Sequence, residues 1–254
     1  MKVSEIYNII DRFAPFNMAM THDNVGLLIG HSDADISKAL VTLDADQTAM
    51  ERAVQEGCSL IVSHHPFFFE GENQVSDCTP QGRKILFALE HNLNIICAHT
   101  NLDCCKGGIN DTLGALLGLK ETQKIAPSNE GGYLGRIGTH DFKSPKAFME
   151  HASKVLGVTP RYVLSDKFER IAWVCGSGSS CMEDALAAGA DTLVTGDCKY
   201  SAFMNAREAG MGLIDLGHFE TEQIIVPILA NYLRENGLEV VEHIVSTPIK
   251  VFGE

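Results

Sequence analysis

The sequence predicts an α/β protein with mixed sheets, and three observations support this fold class. Short apolar segments alternate with segments in which apolar residues recur every three or four positions. Polar or glycine-rich stretches separate the two kinds of segment, as expected where strands connect to helices. The chain has 254 residues, 45% of them hydrophobic, and can therefore bury one large core or two smaller ones.

The elements of the first α/β alternation follow one another from the N-terminus. The segment MKVSEIYNIIDRF has apolar residues at helical spacing interrupted by charges, which is typical of an amphipathic helix and not of a secretory signal. The segment KALVTL predicts a strand, DQTAMERAVQEG a helix and SLIVSHH a second strand. The pattern returns in GRKILFALEHN, LNIICAHTNLD and GGINDTLGALLGL, which predicts a mostly parallel or mixed sheet.

The clearest change in composition along the chain is the segment QKIAPSNEGGYLGRIGTH at 123–140. Its Pro, Ser, Asn and Gly residues interrupt the alternation, which makes it the best candidate for a domain boundary. Beyond it, IAWVCGSGSS, CMEDALAAGA, DTLVTGD, SAFMNAREAG and MGLIDLGHFETE repeat the pattern of strands and helices. We therefore expect a second α/β domain in this part of the chain.

Charge and cysteine content narrow the class of protein. The formal net charge of −13 argues against a protein that binds nucleic acid through a broad basic surface. For the same reason, a small anionic substrate would need a local positive charge, such as a bound metal ion. The eight cysteines show no spacing typical of a structural zinc site, so we expect reduced thiols in a cytoplasmic protein. No apolar segment is long enough to predict a membrane span.

Histidines with carboxylates nearby stand at the ends of three predicted strands. They are His64 and His65 after LIVS, His99 with Asp103 after IICA, and His218 with Glu222 after GLIDLG. Side chains at the carboxyl ends of strands can converge on one crevice of an α/β sheet. Imidazole and carboxylate ligands suit zinc, iron, manganese or nickel.

The adjacent pair His64 and His65 predicts two metal ions. Neighbouring residues at a strand end diverge too far to share one tetrahedral site comfortably. Each can instead bind one ion of a pair about 3.5–4 Å apart, with a carboxylate bridging the two. A single histidine such as His99 or His218 would more often be structural, so the prediction depends on the whole set.

Other polar segments leave two interpretations open. The glycine-rich CGSGSS can bind an anion through backbone N–H groups or simply form a tight connection. Asp197, Lys199 and Tyr200 can form an acid–base or substrate-binding group, or cap the next helix. Cys104 and Cys105 are alternative soft ligands or packing residues. The PFFF segment after the paired histidines is core packing, or an apolar wall that stacks on a planar ring.

Six segments in order across nearly the whole chain carry a family resemblance. THDNVGLLIG, SHHP, AHTNLD, GRIG, TGDCKY and GHFETE together resemble the NGG-interacting-factor-3-like proteins with a dinuclear metal centre, also called GTP cyclohydrolase I type 2 homologues. The resemblance implies two intertwined α/β domains, placed at 1–125 plus 220–254 and at 126–219, and a toroidal homohexamer. Members often carry Trp where this chain has His22, which is either a neutral surface change or an extra polar group near the site.

The resemblance also implies a ligand set and an activity. We expect two divalent ions per chain, which would be iron, zinc or manganese. His65 and Asp103 would bind one ion and His64 and His218 the other, with Glu222 bridging both.

The implied activity is that of a metal-dependent hydrolase acting on a nucleotide or pterin precursor, as in a GTP cyclohydrolase. In that reaction water adds to C8 of the guanine ring and formate is released, with His99 or Lys199 as the candidate catalytic residue. The alternatives are a nucleotide phosphoesterase, which the same metals would serve, and a non-catalytic metal-binding ring that acts in assembly or regulation.

Overall fold

The computed structural model describes residues 1–250, and the chain forms two compact units. The first consists of Met1–Cys105 and Ile225–Val245, and the second of Lys106–Ile224 with the stretch that begins at Ser246. Residues 106–125, 220–224 and 246–250, which the sequence assigned to the first domain, thus belong to the second unit. Residues 251–254, also assigned to the first domain, lie outside the described part of the chain.

Strands and helices alternate along the described residues. The strands are β1 Gly26–Ile29, β2 Lys38–Thr42, β3 Leu60–Ser63, β4 Asn94–Cys97, β5 Lys120–Pro127, β6 Tyr133–Thr139, β7 Arg161–Val163, β8 Ile171–Trp173, β9 Thr192–Thr195, β10 Gly212–Asp215 and β11 Glu239–His243. The helices are α1 Val3–Phe13, α2 Gln47–Gln55, α3 Pro80–Glu90, α4 Thr100–Cys104, α5 Ile109–Leu116, α6 Pro145–Leu156, α7 Met182–Ala187, α8 Tyr200–Glu208, α9 His218–Glu222 and α10 Ile225–Glu235. The predicted α/β class with mixed sheets is confirmed.

The first unit contains a five-stranded sheet in the order β1-β4-β3-β2-β11. Strands β11, β2, β3 and β4 are parallel, and β1 pairs antiparallel with β4. Every residue of β3 and of β4 is buried, which is typical of central parallel strands covered on both faces. Ile61 and Ile95 of these strands pack with Met50 of α2 in one apolar cluster. The carboxyl ends of β3 and β4 therefore sit on a rigid core.

The second unit contains a six-stranded sheet in the order β5-β6-β8-β9-β10-β7. Strands β8, β9 and β10 are parallel, whereas β5, β6 and β7 pair antiparallel with their neighbours. Ile137, Leu193 and Leu213 belong to the apolar core of this unit. The parallel centre again provides strand ends on which a loop and a short helix can be held firmly.

The side chains of the residues just before α2 and α6 cap these two helices. Asp46 accepts a hydrogen bond from the backbone of Ala49 at the start of α2, and Ser144 does the same for Ala147 at the start of α6. Gly157 ends α6 with φ +70°, a left-handed conformation that favours glycine. Among the described residues, the helices all fall short of the length and apolar character that a membrane crossing requires.

Candidate metal centre

Three histidines of the first unit meet at the ends of two adjacent strands. β3 and β4 are parallel, with Ser63 opposite Cys97, so the residues that follow them leave the sheet at the same edge. His64 and His65 follow β3 at once, and His99 follows β4 two residues on. One ring nitrogen from each histidine lies within 4.8 Å of the other two. The pleat and register of the sheet thus bring the imidazoles together.

Each of these three rings has a partner for its Nδ1 atom. His64 Nδ1 donates to the Ala98 carbonyl oxygen at 3.1 Å. His65 Nδ1 lies 2.7 Å from Asp44 Oδ1, and His99 Nδ1 lies 2.8 Å from Asp23 Oδ1. Metal-binding histidines almost always donate the second ring N–H in this way and bind the metal through the other nitrogen, here Nε2. The three side chains therefore present the nitrogen that a metal needs.

Asp103 adds a carboxylate to this group from the short helix α4. Its side chain is buried, and its Oδ1 lies 3.9 Å from His64 Nε2. A carboxylate held in a buried position beside imidazoles is costly without a compensating cation. Three imidazoles and a carboxylate in this arrangement fit a divalent transition-metal ion.

Asp23 contacts the His99 ring of this cluster and is hydrogen-bonded on both carboxylate oxygens. Oδ1 faces His99, and Oδ2 accepts hydrogen bonds from the backbone N and the hydroxyl of Thr100. Burial alone raises the pKa of Asp23, but the hydrogen bonds and the His99 ring outweigh it and lower the pKa to about 2. Asp23 is therefore an ionised acceptor at neutral pH.

The second unit carries two further candidate ligands on α9. His218 and Glu222 are one turn apart, and His218 Nε2 lies 3.0 Å from Glu222 Oε2. The Glu222 side chain is only 5% exposed, and Asp197 Oδ2 lies 3.6 Å from His218 Nδ1. Helix α9 begins at His218 and ends at Glu222, so the one-turn spacing places both candidate ligands on the same helical face.

Buried hydrogen bonds fix the turn that precedes this helix. Asp215, at the end of β10, accepts from the backbone N–H groups of Gly217 and Cys198 and forms an ion pair with Arg161. The Thr221 hydroxyl accepts a hydrogen bond from the Gly176 backbone at 3.0 Å. These contacts hold α9 against the loop after β8.

Gly176 shows what the glycine-rich CGSGSS segment does in this unit. Its φ is +57°, and a Cβ built on it would lie 2.0 Å from Glu222 Oε1 and 3.3 Å from His218 Nε2. The segment is thus a tight connection whose backbone closely approaches two candidate ligands. Asp44, Asp23 and Gly176 were not among the predicted site residues, because each acts only through tertiary contacts.

The remaining residues singled out in the sequence have varied surroundings. Lys199 is exposed at the start of α8, two residues after Asp197. Cys104 and Cys105 are buried, which suits packing, and His22 is exposed. The Phe69 ring is 60% exposed and meets His99 edge-on, with the ring centroids 5.6 Å apart. Of these residues, Phe69 is the one that contacts a histidine of the cluster.

The fold and the site together define a two-unit α/β protein whose histidines and carboxylates fit divalent metal ions. The family model for Duf34/NIF3 (NGG1p interacting factor 3) matches residues 1–250. The chain belongs to this family. The family predicted from the sequence is confirmed.

Individual relatives cover nearly the whole chain. A "GTP cyclohydrolase 1 type 2 homolog" of Clostridium perfringens is 34% identical, over 98% of each chain. Staphylococcus aureus hypothetical protein SA1388 aligns with a TM-score of 0.88 at 26% identity, over 99% of each chain. The structure of reduced HcgD from Methanocaldococcus jannaschii aligns with a TM-score of 0.83 at 30% identity, over 95% of this chain and 97% of that one.

Proposed function

We propose that this protein is a metal-dependent hydrolase with two divalent ions per chain. The ligands in the proposal are those implied by family membership: His65 and Asp103 for one ion, His64 and His218 for the other, and Glu222 as the bridge. The observation that supports it is the adjacent pair His64 and His65, whose Nδ1 atoms are both engaged and whose rings each place one nitrogen within 4.8 Å of the other. Such ions would lower the pKa of a water molecule and stabilise negative charge on oxygen.

The chain's own residues supply the proton transfer in this proposal. His99 stands in the cluster but is not needed to complete the ligand set, so its Nε2 can accept a proton from the attacking water. Lys199 is the second candidate, since its loop also carries Asp197, which faces His218. In the proposal, the exposed Lys199 ammonium would bind a substrate anion.

The proposed substrate is a purine nucleotide, with GTP first. Relatives of this chain carry the name GTP cyclohydrolase 1 type 2 homolog. The exposed face of Phe69 beside His99 offers a planar base a surface for stacking. A chain with a net charge of −13 also needs bound cations to attract a polyphosphate. Opening of the guanine ring at C8 and loss of C8 as formate would each consume one water molecule.

A substrate screen with a metal control tests the proposal. Metal-replete protein should contain about two ions per chain, and formate should appear with GTP but not after chelation. Turnover of a phosphoester instead of formate release would assign the same centre to nucleotide phosphoester hydrolysis. Full metal content without turnover on nucleotide, phosphoester and metabolite panels would refute the hydrolase and leave a metal-binding assembly or regulatory protein.

A further inference from the structure

Asp23 uses its two carboxylate oxygens for two different contacts. Oδ2 binds the backbone N and hydroxyl of Thr100, the first residue of α4, and thereby caps that helix. Oδ1 binds His99 Nδ1 at 2.8 Å. The Asp23 side chain is 3% exposed, so water does not compete for either oxygen. The contact with His99 is therefore separate from the capping of α4 and needs its own explanation.

The partner of Nδ1 determines which nitrogen of His99 carries the proton. An ionised carboxylate only accepts hydrogen bonds, so His99 Nδ1 must be the protonated nitrogen. In the neutral ring Nε2 is then unprotonated and can accept a proton. The ring centroid of His99 lies 5.0 Å from that of His64 and 5.9 Å from that of His65. A proton-accepting nitrogen thus belongs to the same cluster as two proposed ligands.

We propose that Asp23 is a positioning residue that holds His99 in the Nδ1–H form, so that Nε2 accepts a proton during the hydrolytic reaction. This inference rests on the proposed function. When Nε2 takes a proton from the attacking water, the water oxygen bonds to C8, the C8=N7 π electrons move to nitrogen and the His99 ring becomes an imidazolium. The Asp23 carboxylate stabilises that charge, and His99 returns the proton to the leaving nitrogen as its bond to C8 breaks.

The variant Asp23→Asn tests the role without removing the cap. The Thr100 backbone N–H can only donate, so the amide oxygen of Asn should face Thr100 and its NH₂ group should face His99. The NH₂ group can only donate to the ring, which requires an unprotonated Nδ1 and moves the proton to Nε2. The matched control is Thr100→Val, which removes the hydroxyl with its contacts to Oδ2 and to the Met20 backbone N–H but leaves the carboxylate and its bond to His99 in place.

The protonated nitrogen can be measured by two-bond ¹H–¹⁵N correlation NMR of the His99 ring in full-length, metal-free protein. Loss of the signals in His99→Gln assigns them. We expect the Nδ1–H form in the wild type and in Thr100→Val, and the Nε2–H form in Asp23→Asn. An Nε2–H form in the wild type would overturn the inference even if the variant does not fold, and so would an unchanged Nδ1–H form in folded Asp23→Asn.

Activity and metal content complete the test. For any substrate found, Asp23→Asn should lower kcat by roughly a hundredfold or more, the usual effect of losing a positioned base, while metal content stays near that of the wild type. Loss of metal from the variant would overturn the proton-acceptor role, because His99 would then serve the metal directly. The NMR result needs neither metal nor substrate, so its failure is distinct from a failed substrate screen.

Discussion

Replacing Gly176 with Ala should damage the proposed metal centre through a single added methyl group. The new Cβ would lie 2.0 Å from Glu222 Oε1, whereas carbon and oxygen atoms in weak contact are roughly 3.3 Å apart. The carboxylate would have to move by about 1.3 Å, since the glycine backbone is fixed by hydrogen bonds to Thr221 and Thr195. The buried position of Glu222 leaves it little room for this movement.

Two contributions to the free-energy cost can be estimated separately. An alanine at φ +57° costs about 1 kcal/mol through the strained left-handed backbone. Overpacking against a buried side chain adds about 1–3 kcal/mol. Displacing a ligand by about 1 Å should also lower metal affinity at least tenfold, which corresponds to about 1.4 kcal/mol of binding free energy.

The glycine at position 157 provides a matched control within the same unit. Its φ is +70°, but a Cβ there would meet nothing within 4 Å. Gly157→Ala should therefore show only the backbone cost in urea unfolding and should leave metal affinity unchanged. Gly176→Ala should lose more stability and should bind zinc more weakly in calorimetric titrations against a competing chelator.

The comparison of the two variants can refute this reasoning. If Gly176→Ala unfolds with the same free energy as Gly157→Ala and keeps the zinc affinity of the wild type, the close approach of Gly176 to Glu222 does not constrain the centre. A loss of affinity in both variants would show that stability, and not ligand placement, controls binding. Either result would show that Gly176 does not control the placement of Glu222 in the site.

Four further predictions follow from the same structure. Glu222→Gln should lower both metal occupancies together in elemental analysis, whereas His65→Ala should mainly empty one position. Asp44→Ala should weaken metal binding by roughly tenfold or more, because His65 Nδ1 loses its acceptor. The pKa of Asp23 falls from 3.8 in the unfolded chain to about 2 in the folded protein, and at pH values above 3.8 this contributes about 2 kcal/mol to the free energy of unfolding. The contribution is lost as the pH falls from about 4 to about 2, because the carboxylate becomes protonated. The difference in stability between the wild type and Asp23→Asn should therefore narrow below about pH 4. Light scattering should give a mass near six times 27.6 kDa if the proposed homohexamer forms, and a monomer would exclude it.

The order of strands and helices could be predicted because apolar periodicity differs between the two kinds of element. The segment at 123–140 shows the limit of that approach. In the structure residues 128–132 form the turn between β5 and β6, whereas Pro127, Gly135 and Gly138 lie within these strands, so the segment is a hairpin inside the second unit. Strand β5 begins with four exposed residues and lacks an apolar run, so the sequence does not reveal it. Turn-forming residues occur in hairpins and in linkers alike, and composition alone does not separate them.

The clustering of the candidate ligands of the first unit could be predicted because they lie at the ends of neighbouring parallel strands. The residues that orient them could not. Asp44 is 21 positions from His65, and Asp23 is 76 positions from His99, so neither pair leaves a local pattern. Gly176 is likewise recognisable only once Glu222, distant in sequence, is seen beside it. The spacing of residues along the sequence can indicate candidate ligands that lie on the same strand end or helix. The residues that orient those ligands come from distant positions and are recognised only in the folded structure.

The two supporting carboxylates differ in a way that bears on function. The Asp44 side chain is 50% exposed and that of Asp23 is 3% exposed, although their distances to Nδ1 are nearly equal. A charged hydrogen bond is stronger where water is excluded, so His99 is held more firmly than His65. If orientation served metal binding alone, the proposed ligand His65 would need the firmer support. The stronger constraint on His99 instead fits a group whose protonated nitrogen must stay fixed while a proton is transferred.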